Sequence, residues 1–391
     1  MNSQFSYRPF TDADEQSFLQ IPSQCFGGSL EYTENYLKRI GKENVFFLCQ
    51  GEQVVGSVAI YHMGQWYGGR SVPMAGIAAV GVAPEYRGTG AAYTLMSQTL
   101  LELYASGTPI SALYPATQVL YRKVGYEQGG IMCFFQIPAK DIILRDRNLP
   151  MQRVETLKPE IFQTLYSQQA SLNNGNLDRN QAIWERVIEP PETGAIYGYL
   201  VGKPGKPQGY IIFSQARESN GFELRIRDWV LPNAEVARRV WTFLGDHRSL
   251  IDNIHWRGAT INSRMLLLPE QSATIEKRDC WMLRIINLPV ALSKRGYPPN
   301  VETKLHLEVT DDLIAPNNGK FCLQISQGWG EVTEGGKAEL KLDIRALAAL
   351  YTGLFTPYQL QQAGYLEGSV AALATAAQLF AGSEPWMSDF F

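Results

Sequence analysis

An arginine and two glycines, at residues 87 to 90, stand between a strand-like apolar run and a helix-like run. The first run ends as Val80-Gly81-Val82-Ala83-Pro84, and the second opens as Arg87-Gly88-Thr89-Gly90-Ala91-Ala92. A helix start leaves its first amides unpaired and attracts anions. Glycines let a phosphate approach the backbone, and the arginine can add charged hydrogen bonds. The segment predicts a pyrophosphate-binding turn, with a merely flexible turn as the alternative.

The context of this turn narrows its interpretation. The turn is not a Walker loop, because it lacks the lysine followed by serine or threonine. It is not a dinucleotide fingerprint either, because no Gly-x-Gly-x-x-Gly follows the strand directly. The pattern Arg-x-x-Gly-x-Ala after an apolar strand resembles the acyl-CoA signature of the GNAT acetyltransferase superfamily. In that superfamily the amides after the arginine hold the pyrophosphate of the coenzyme.

A second group of residues, PISALYPATQVLYRKVGYEQ, predicts a strand, a short helix and a Gly-Tyr pair that is typical of the same superfamily. Acetyl transfer from a thioester to an amine needs a proton for the departing thiolate. Tyr121 is the predicted donor, because a tyrosine with a reference pKa near 10 stays protonated at neutral pH. Packing of Tyr121 against Val124 is the alternative. Tyr126 is predicted to lie in the core, and the amides of Val80 to Val82 to hold the thioester carbonyl.

The elements that would position this turn alternate between strands and helices, so residues 1–150 are predicted to form an α/β domain. VFFLCQ, QVVGSVAIYHM and AGIAAVGVA have strand character, a helix is predicted from about Gly90 to Tyr104, and PISALYP is the next strand.

Residues 151–287 repeat this order and are predicted to form a second α/β domain. Helix-like EIFQTLYSQQASL and NQAIWERVI precede strand-like AIYGYLVG, GYIIFSQ and ELRIRDWVL, and helix-like EVARRVWTFLGDH follows. IAAVGVAP and LRIRDWVLP each end at a proline before a helix, which indicates an internal duplication. The second copy continues as NAEVARRV without glycine or an Arg-Gly turn. It is therefore predicted to be structural.

Residues 288–391 are predicted to form a third, α+β domain. PVALSKRGYPPN is interpreted as a proline-rich joint. The strands VETKLHLEV, GKFCLQIS, GWGEVTE and AELKLDI follow, and then the helices IRALAALYTGL and SVAALATAAQLF.

The combination of an active GNAT unit, a degenerate GNAT unit and an α+β unit resembles the Eis-type (enhanced intracellular survival) acetyltransferases. The third domain of that family is similar to sterol carrier proteins. The resemblance implies tandem GNAT folds in an α/β and α+β multidomain chain, with acetyl-CoA as cosubstrate and a trimeric or hexameric homo-oligomer. It places Tyr121 at the general-acid position. The residues that match the family's coenzyme-binding positions are Val80, Val82, Arg87, Gly88, Gly90 and Ala91.

The ending PWMSDFF also resembles that family, whose aromatic terminus brings its free carboxylate into the active site. The resemblance implies that the carboxylate of Phe391 deprotonates the incoming amine, directly or through water. An apolar ending also suggests a docked terminus, and plain packing of Phe390 and Phe391 is the alternative. Phe390 departs from the family pattern, because an acidic residue there would attract cationic substrates. Without it, the end of the chain gives no reason to expect a preference for highly cationic acceptors.

Composition argues against several other classes of function. The length of 391 residues favours about two to three domains, and 45% of residues are hydrophobic. A net charge of -3 provides no basic face for nucleic acid, and no window has about 18 consecutive apolar residues. We therefore expect a cytoplasmic protein that binds neither nucleic acid nor membrane.

The histidines and cysteines predict no metal site, because they are scattered without metal-ligand spacing. The four histidines are His62, His247, His255 and His306. The five cysteines lie mostly in apolar runs and are predicted to be buried thiols: Cys25, Cys49, Cys133, Cys280 and Cys322.

Three functional hypotheses follow. The first is an enzyme that acetylates primary amines, either on small polyamino molecules such as aminoglycosides or on lysine-bearing peptides and proteins. Its acceptor groove is expected partly in residues 24–36, where aromatic and acidic residues mix, although a solvated helix face is the alternative there. The second is a carrier of a lipid or other hydrophobic ligand that binds CoA for regulation. The third is a CoA-binding scaffold without catalysis.

Overall fold

The computed structural model describes residues 4–191, 194–218 and 221–391, and the chain divides into two compact units. The first unit contains the residues up to Gly129, residues 281–383 and the last two residues. The second unit contains residues 130–280 and 384–389. A short segment near the end of the chain therefore belongs to the second unit, although its neighbours on both sides belong to the first.

Strands and helices alternate in the first part of the chain, as the apolar patterns predict. In chain order they are β1 Ser6–Pro9, α1 Glu15–Phe26, α2 Leu30–Ile40, β2 Val45–Gln50, β3 Gln53–Tyr67, β4 Arg70–Val82, α3 Ala91–Ala105, β5 Ile110–Leu113, α4 Gln118–Lys123 and β6 Glu127–Pro138. The predicted helix from Gly90 to Tyr104 corresponds to α3, displaced by one residue.

The second part of the chain repeats this alternation, and its predicted helices and strands are all present. The elements are β7 Met151–Val154, α5 Pro159–Ala170, β8 Leu177–Asp178, α6 Gln181–Ile188, β9 Ala195–Lys203, β10 Lys206–Glu218, β11 Gly221–Val230, α7 Ala234–Gly245, β12 Asn253–Gly258 and β13 Thr274–Ile285.

The third part begins with a helix where a joint is predicted, so that interpretation is wrong. Asn287 caps this helix by accepting a hydrogen bond from the Val290 amide at 3.2 Å, and proline is tolerated in a first helical turn. The elements are α8 Leu288–Lys294, β14 Thr303–Thr310, β15 Gly319–Ser326, β16 Trp329–Glu334, β17 Leu340–Asp343, α9 Ile344–Thr352, α10 Pro357–Gln362, β18 Leu366–Gly368 and α11 Val370–Leu379.

Two sheets form the first unit. In one, the neighbouring strands are β1, β2, β3, β4, β5 and residues 282–285 of β13, and β4 with β5 is the parallel pair. The apolar side of α3, including Leu95 and Leu100, lies in the core with side chains of β3 and β4. The other sheet has the order β16, β15, β14, β17 and β18. The first sheet carries the predicted coenzyme turn.

In the second unit, the neighbouring strands are β6, β12, β11, β10, β9 and β7, in that order. Here β11 and β12 form the parallel pair. Its core contains three packed indoles, Trp229, Trp241 and Trp256, whose ring centroids lie 5.5–6.0 Å apart. This arrangement is a parallel pair of strands that is joined by a helix and flanked by antiparallel strands. It repeats the arrangement in the first unit.

Burial of the cysteines differs in part from the prediction. Cys49 and Cys133 are buried, whereas Cys25, Cys280 and Cys322 are half-buried. Cys322 alternates along β15 with the buried Phe321 and Leu323, so its side chain is on the more exposed face of the strand. Among the described helices, none is long and apolar enough to cross a membrane.

Candidate active site

The predicted phosphate-binding turn lies at the start of α3. Gly88 and Gly90 have φ angles of +81° and +88°, a conformation that favours glycine, and a Cβ atom on either would meet nothing within 4 Å. Gly90 precedes the first helical residue, and within the described chain no side chain caps this helix. The first amides of α3 are therefore open to a ligand, as an anion site requires.

A β-bulge lies in β4 just before this turn. Ser57 of β3 pairs with Gly81 of β4, and Ala59 of β3 pairs with Ala78 of β4. Residues 79 and 80 of β4 are therefore opposite the single β3 residue 58. One of the two, Ala79, has a φ of +49°, which is unusual for a residue with a side chain. A bulge bends its strand and redirects the groups that follow.

Beyond Gly76, β4 separates from β5. The parallel pairing covers Met74 to Gly76 on β4, opposite Ile110 to Ala112 on β5. We call this point the first strand fork. From here to its end, β4 presents one backbone edge without a β5 partner, and this edge includes Val80 to Val82. The sequence prediction that these amides hold the thioester carbonyl requires such an edge.

Arg87 is exposed at the turn and lies near α1. Its Nη2 is 3.7 Å from the Cys25 sulfur, which in turn is 3.5 Å from the Val82 carbonyl oxygen. A Cβ atom on Gly81 would lie 3.0 Å from a methyl carbon of Ile21, so α1 packs closely on the end of β4. Cys25 is a neighbour of the site that the sequence did not single out.

Tyr121 is buried on α4 with 6% of its surface exposed. Its ring packs edge-on against Tyr126 at 5.9 Å between centroids. Burial raises the pKa of Tyr121 to about 12. The phenol therefore keeps its proton throughout the neutral range, as a proton donor must. Tyr126 is fully buried, as predicted.

A short series of contacts connects Tyr121 to the first strand fork. The Tyr126 hydroxyl is 2.7 Å from the Ser111 hydroxyl, which donates to the Ala75 carbonyl oxygen at 2.8 Å. Because Ser111 has a single proton, Tyr126 is the donor in the first bond. Ala75 is next to Gly76, where the fork begins. The predicted proton donor is thus fixed to the sheet close to this fork.

The last residue of the chain lies at the same fork. The Phe391 ring is 6% exposed and packs against Tyr61 and Tyr114, at 6.1 and 6.0 Å between centroids. A Cβ atom on Gly76 would lie 2.7 Å from Cε2 of Phe391, so glycine is required beneath this ring. The neighbouring Phe390 packs against Tyr114 with the rings tilted, at 4.7 Å between centroids. The chain end is docked in the first unit.

The segment expected to contribute to the acceptor groove forms the end of α1 and the start of α2. Phe26 and Tyr32 are 59% and 53% exposed. Glu31 is exposed, and Glu34 forms a surface ion pair with Lys38 at 2.6 Å. Tyr36 continues the aromatic group inwards, because its ring is 6.2 Å from that of Tyr61. The aromatic residues thus reach from this segment towards Phe391, while the carboxylates face solvent.

Sequence reasoning missed Gly76, Tyr61 and Tyr114. The available signal was glycine in the interior of the strand-like run AGIAAV, which often marks a close approach by another group. Among the described residues, no group of three or more His, Cys, Asp or Glu side chains could hold a metal ion.

One cavity of about 240 Å³ lies in the first unit, beside the C-terminal helices. Ala349 and Leu360 form part of its apolar wall, and Arg122, Glu127 and Tyr365 form part of its polar wall. Glu127 accepts hydrogen bonds from both Arg122 and Arg345, at 2.7 and 2.6 Å. Pockets for drug-sized ligands have volumes of about 300–1,000 Å³, so this space is smaller than a typical pocket of that kind.

Three segments of the chain match known protein families. Residues 6–129 and residues 175–285 each match an acetyltransferase (GNAT) domain, and residues 288–388 match a sterol carrier protein domain. These matches confirm the tandem GNAT folds and the sterol carrier protein-like C-terminal domain that the sequence predicts.

Whole-chain similarities agree with the domain matches. The crystal structure of a GCN5-related N-acetyltransferase from Anabaena variabilis is 52% identical, with a TM-score of 0.97 over 99% of this chain and 100% of that one. A GCN5-related N-acetyltransferase from Kribbella flavida is 29% identical, with a TM-score of 0.87 over 99% and 98% of the two chains. The N-acetyltransferase Eis of Mycobacterium tuberculosis is 24% identical over 327 residues, which cover 78% of this chain and 77% of that protein.

Proposed function

Because the chain belongs to the GCN5-related N-acetyltransferases and is similar to Eis, we propose that it acetylates primary amines with acetyl-CoA as donor. The acceptor classes we propose are aminoglycoside-like polyamines and lysine side chains. The observation that supports the proposal is that three features lie in the same compact unit. An uncapped glycine turn, a buried tyrosine and a docked chain end all belong to the first unit, and the chain end packs on Gly76 at the first strand fork.

The donor half of the proposed site is the turn at residues 87–92 with the end of β4. The amides of Gly88 to Ala92 bind the pyrophosphate, and Arg87 adds a charged contact. The unpaired edge of β4 at Val80 to Val82 holds the rest of the donor and polarises the thioester carbonyl. Backbone donors suit this role because they are fixed before the reaction starts.

The proposed reaction is a direct transfer. The amine nitrogen attacks the thioester carbon, the carbon–sulfur bond breaks, and the products are the acetylated amine and free CoA. The proton lost by the amine passes to the Phe391 carboxylate, directly or through water. Tyr121 donates to the departing sulfur. Its pKa of about 12 makes the tyrosinate costly, so this donation begins as a hydrogen bond that strengthens while negative charge develops on the sulfur.

The aromatic residues around Phe391 support the proposed position of the acceptor. Tyr36, Tyr61 and Tyr114 form a partly buried aromatic wall, and exposed Phe390 extends it. Aromatic faces bind both apolar bodies and cationic amines, the latter through cation–π attraction. A lysine side chain or an amino sugar can therefore use the same wall.

A thiol-release assay tests the activity. Acetyl-CoA is supplied with an aminoglycoside, a lysine-containing peptide and a hydrophobic primary amine, and free CoA is measured. We expect amine-dependent CoA release with at least one of the three, and mass spectrometry should show an increase of one acetyl group per modified amine. If no amine releases CoA above the rate without acceptor, the proposed function is wrong.

Two variants of the chain end separate the carboxylate from the ring. One extra glycine after Phe391 keeps the ring but moves the carboxylate, and we expect it to lower kcat by about 100-fold, as loss of a general base does. Phe391→Ala keeps a terminal carboxylate and removes the ring. If the glycine-extended chain keeps full turnover while Phe391→Ala loses it, packing of the ring explains the role of the chain end, and the proposed base is wrong.

We also propose that the protein is a cytoplasmic homo-oligomer, a trimer or hexamer, on the strength of the family resemblance. Light scattering during size-exclusion chromatography would give the mass of the assembly, and a monomer would contradict this part of the proposal. The carrier hypothesis is not favoured, because residues 6–129 and residues 175–285 both match acetyltransferase (GNAT) domains.

A further inference from the structure

Residues 384–389 are held by the second unit through backbone bonds. The Ile131 amide donates to the Pro385 carbonyl at 3.0 Å, and the Trp386 amide donates to the Asn174 carbonyl at 3.0 Å. The Asn176 side chain donates to the Trp386 carbonyl at 2.7 Å. We call residues 384–389 the tail segment. Its backbone is fixed on both sides of Trp386.

The Trp386 side chain fills a second strand fork. Strands β11 and β12 pair through Glu223 to Arg225 and then separate, as β4 and β5 do. The space beyond this fork is lined by residues that include Asp228, Trp256 and Trp386, and the volume within it that a water molecule can enter is only about 10 Å³. That volume holds a single water molecule. The chain's own tail segment therefore occupies the space that the first fork leaves for a ligand.

One buried arginine connects the tail segment to β11. Its Nε and Nη2 bind the two carboxylate oxygens of Asp389, at 3.1 and 3.0 Å, and its Nη1 binds Asp228 at 2.6 Å. This residue is Arg179, whose side chain is completely buried, and it stacks on Tyr166 at 3.7 Å and Trp184 at 4.8 Å. We call Arg179, Asp228 and Asp389 the arginine clamp.

Arg179 keeps its charge despite burial. Burial alone lowers the pKa of Arg179, but the carboxylates of Asp228 and Asp389 more than reverse this and raise it well above its usual value. Tyr210 donates a further hydrogen bond to Asp228 at 2.7 Å. Buried ion pairs cost much of their attraction in lost hydration, so they are weak evidence for stability. A two-pronged contact does, however, fix position and orientation.

We propose that Arg179 is a positioning residue for the active site, because it holds the chain end through Asp389. The inference rests on the proposed role of the Phe391 carboxylate. Only Phe390 separates Asp389 from Phe391, and two residues span at most about 7 Å. Fixing the Asp389 carboxylate therefore restricts where the terminal carboxylate can lie.

Asp389→Asn tests the clamp with the smallest change in shape. We expect kcat to fall by about tenfold, since misplacement of a reacting group by about 1 Å costs up to 100-fold. The KM for acetyl-CoA should stay within about twofold, because the donor turn does not involve the clamp. Arg179→Lys keeps the charge but loses the two-pronged contact, and we expect a similar fall in kcat. Asp246→Asn is the matched control, because Asp246 forms an exposed ion pair with Arg147 in the same unit.

A double-variant comparison separates positioning from general destabilisation. If Asp389 acts only through the terminal carboxylate, Asp389→Asn should have almost no further effect on kcat in the chain that carries one extra glycine after Phe391. A structural role would lower kcat by the same factor in both backgrounds, and that result would overturn the inference.

Digestion by carboxypeptidase gives a readout without turnover. We expect release of Phe391 from the Asp389→Asn variant at least about ten times faster than from the parent and from Asp246→Asn, since an unheld terminus frays. If the glycine-extended chain keeps full turnover, the proposed base is wrong. If it loses turnover while Asp389→Asn keeps both turnover and resistance to digestion, the proposed base stands and the clamp is overturned.

Discussion

The two strand–turn–helix regions of this chain have the same order, and only the first leaves the start of its helix open. Before α3, Gly90 stands in a left-handed conformation without a side-chain cap in the described structure. Before α7, the Asn233 side chain accepts a hydrogen bond from the Val236 amide at 2.9 Å. An amide that would bind a phosphate in the first region is therefore already bound in the second. The helix cap, rather than the order of elements, separates the two regions.

The strands before these helices show a similar contrast. Both β4 and β11 carry a bulge and separate from a parallel neighbour, at Gly76 and after Arg225. The second fork is filled by Trp386 of the tail segment. The comparison shows that a duplicated frame can change from a ligand site to an anchoring site when side chains occupy the space and the amides that a ligand would need.

The largest expected effect comes from making the first turn resemble the second. Gly90→Val adds a branched side chain at a φ of +88° in the path of the phosphates. Loss of two to three charged hydrogen bonds should lower kcat/KM for acetyl-CoA by about 1,000-fold. Gly107→Val is the matched control, since Gly107 follows α3 with a φ of +77° and equally open space. Equal losses in both variants would show that backbone strain, and not phosphate contact, explains the result.

The second-largest expected effect tests whether Tyr121 acts as proton donor beside the first region. Tyr121→Phe should lower kcat by about 100-fold with little change in the KM for acetyl-CoA, because a proton donor acts mainly in the transition state. Tyr126→Phe is the control, since it removes a buried hydroxyl that donates to Ser111. We expect Tyr126→Phe to lower the free energy of unfolding by about 1 kcal/mol and to keep turnover. Turnover in Tyr121→Phe equal to that of the parent would contradict the assigned role.

The pH dependence of kcat sharpens the same assignment. The active form of Tyr121 is protonated, and its pKa of about 12 means that this form is lost only as the pH rises through about 12. An unshifted tyrosine would already be half ionised near pH 10. We therefore expect no fall in kcat between about pH 7 and pH 10, measured by thiol release at saturating amine. A fall centred at or below pH 10 that disappears in Tyr121→Phe would contradict the buried donor.

The smallest effect on activity is expected in the second region. Asn233→Ala removes the cap of α7 and should lower the free energy of unfolding by about 1 kcal/mol, measured by denaturant titration. Turnover should stay within about twofold, because this helix start binds no donor. Equilibrium dialysis should give one CoA per chain in the parent and in Asn233→Ala. A second CoA bound in either protein would break the comparison between the two regions.

Much of the fold could be predicted from local patterns. The strands and helices around the donor turn follow apolar periodicity, and the glycines at residues 88 and 90 indicate the turn because few other residues adopt its backbone conformation. The first half of the proline-rich segment at residues 289–300 is a helix and not a joint, since Pro289 fits the first turn of α8. Proline there marks a helix start as well as a break.

The sequence by itself determined that residues 80–92 form an open helix start and that its counterpart does not, because helix caps depend on neighbours in the chain. Only the tertiary structure decided what surrounds Phe391 and what holds the tail segment. Arg179 and Asp389 are 210 residues apart in the chain. Contacts over such distances depend on which elements pack together, and no local spacing encodes them. Local chemistry thus predicted the open helix start that we propose as the donor half of the site, and long-range packing placed the chain end at the first strand fork.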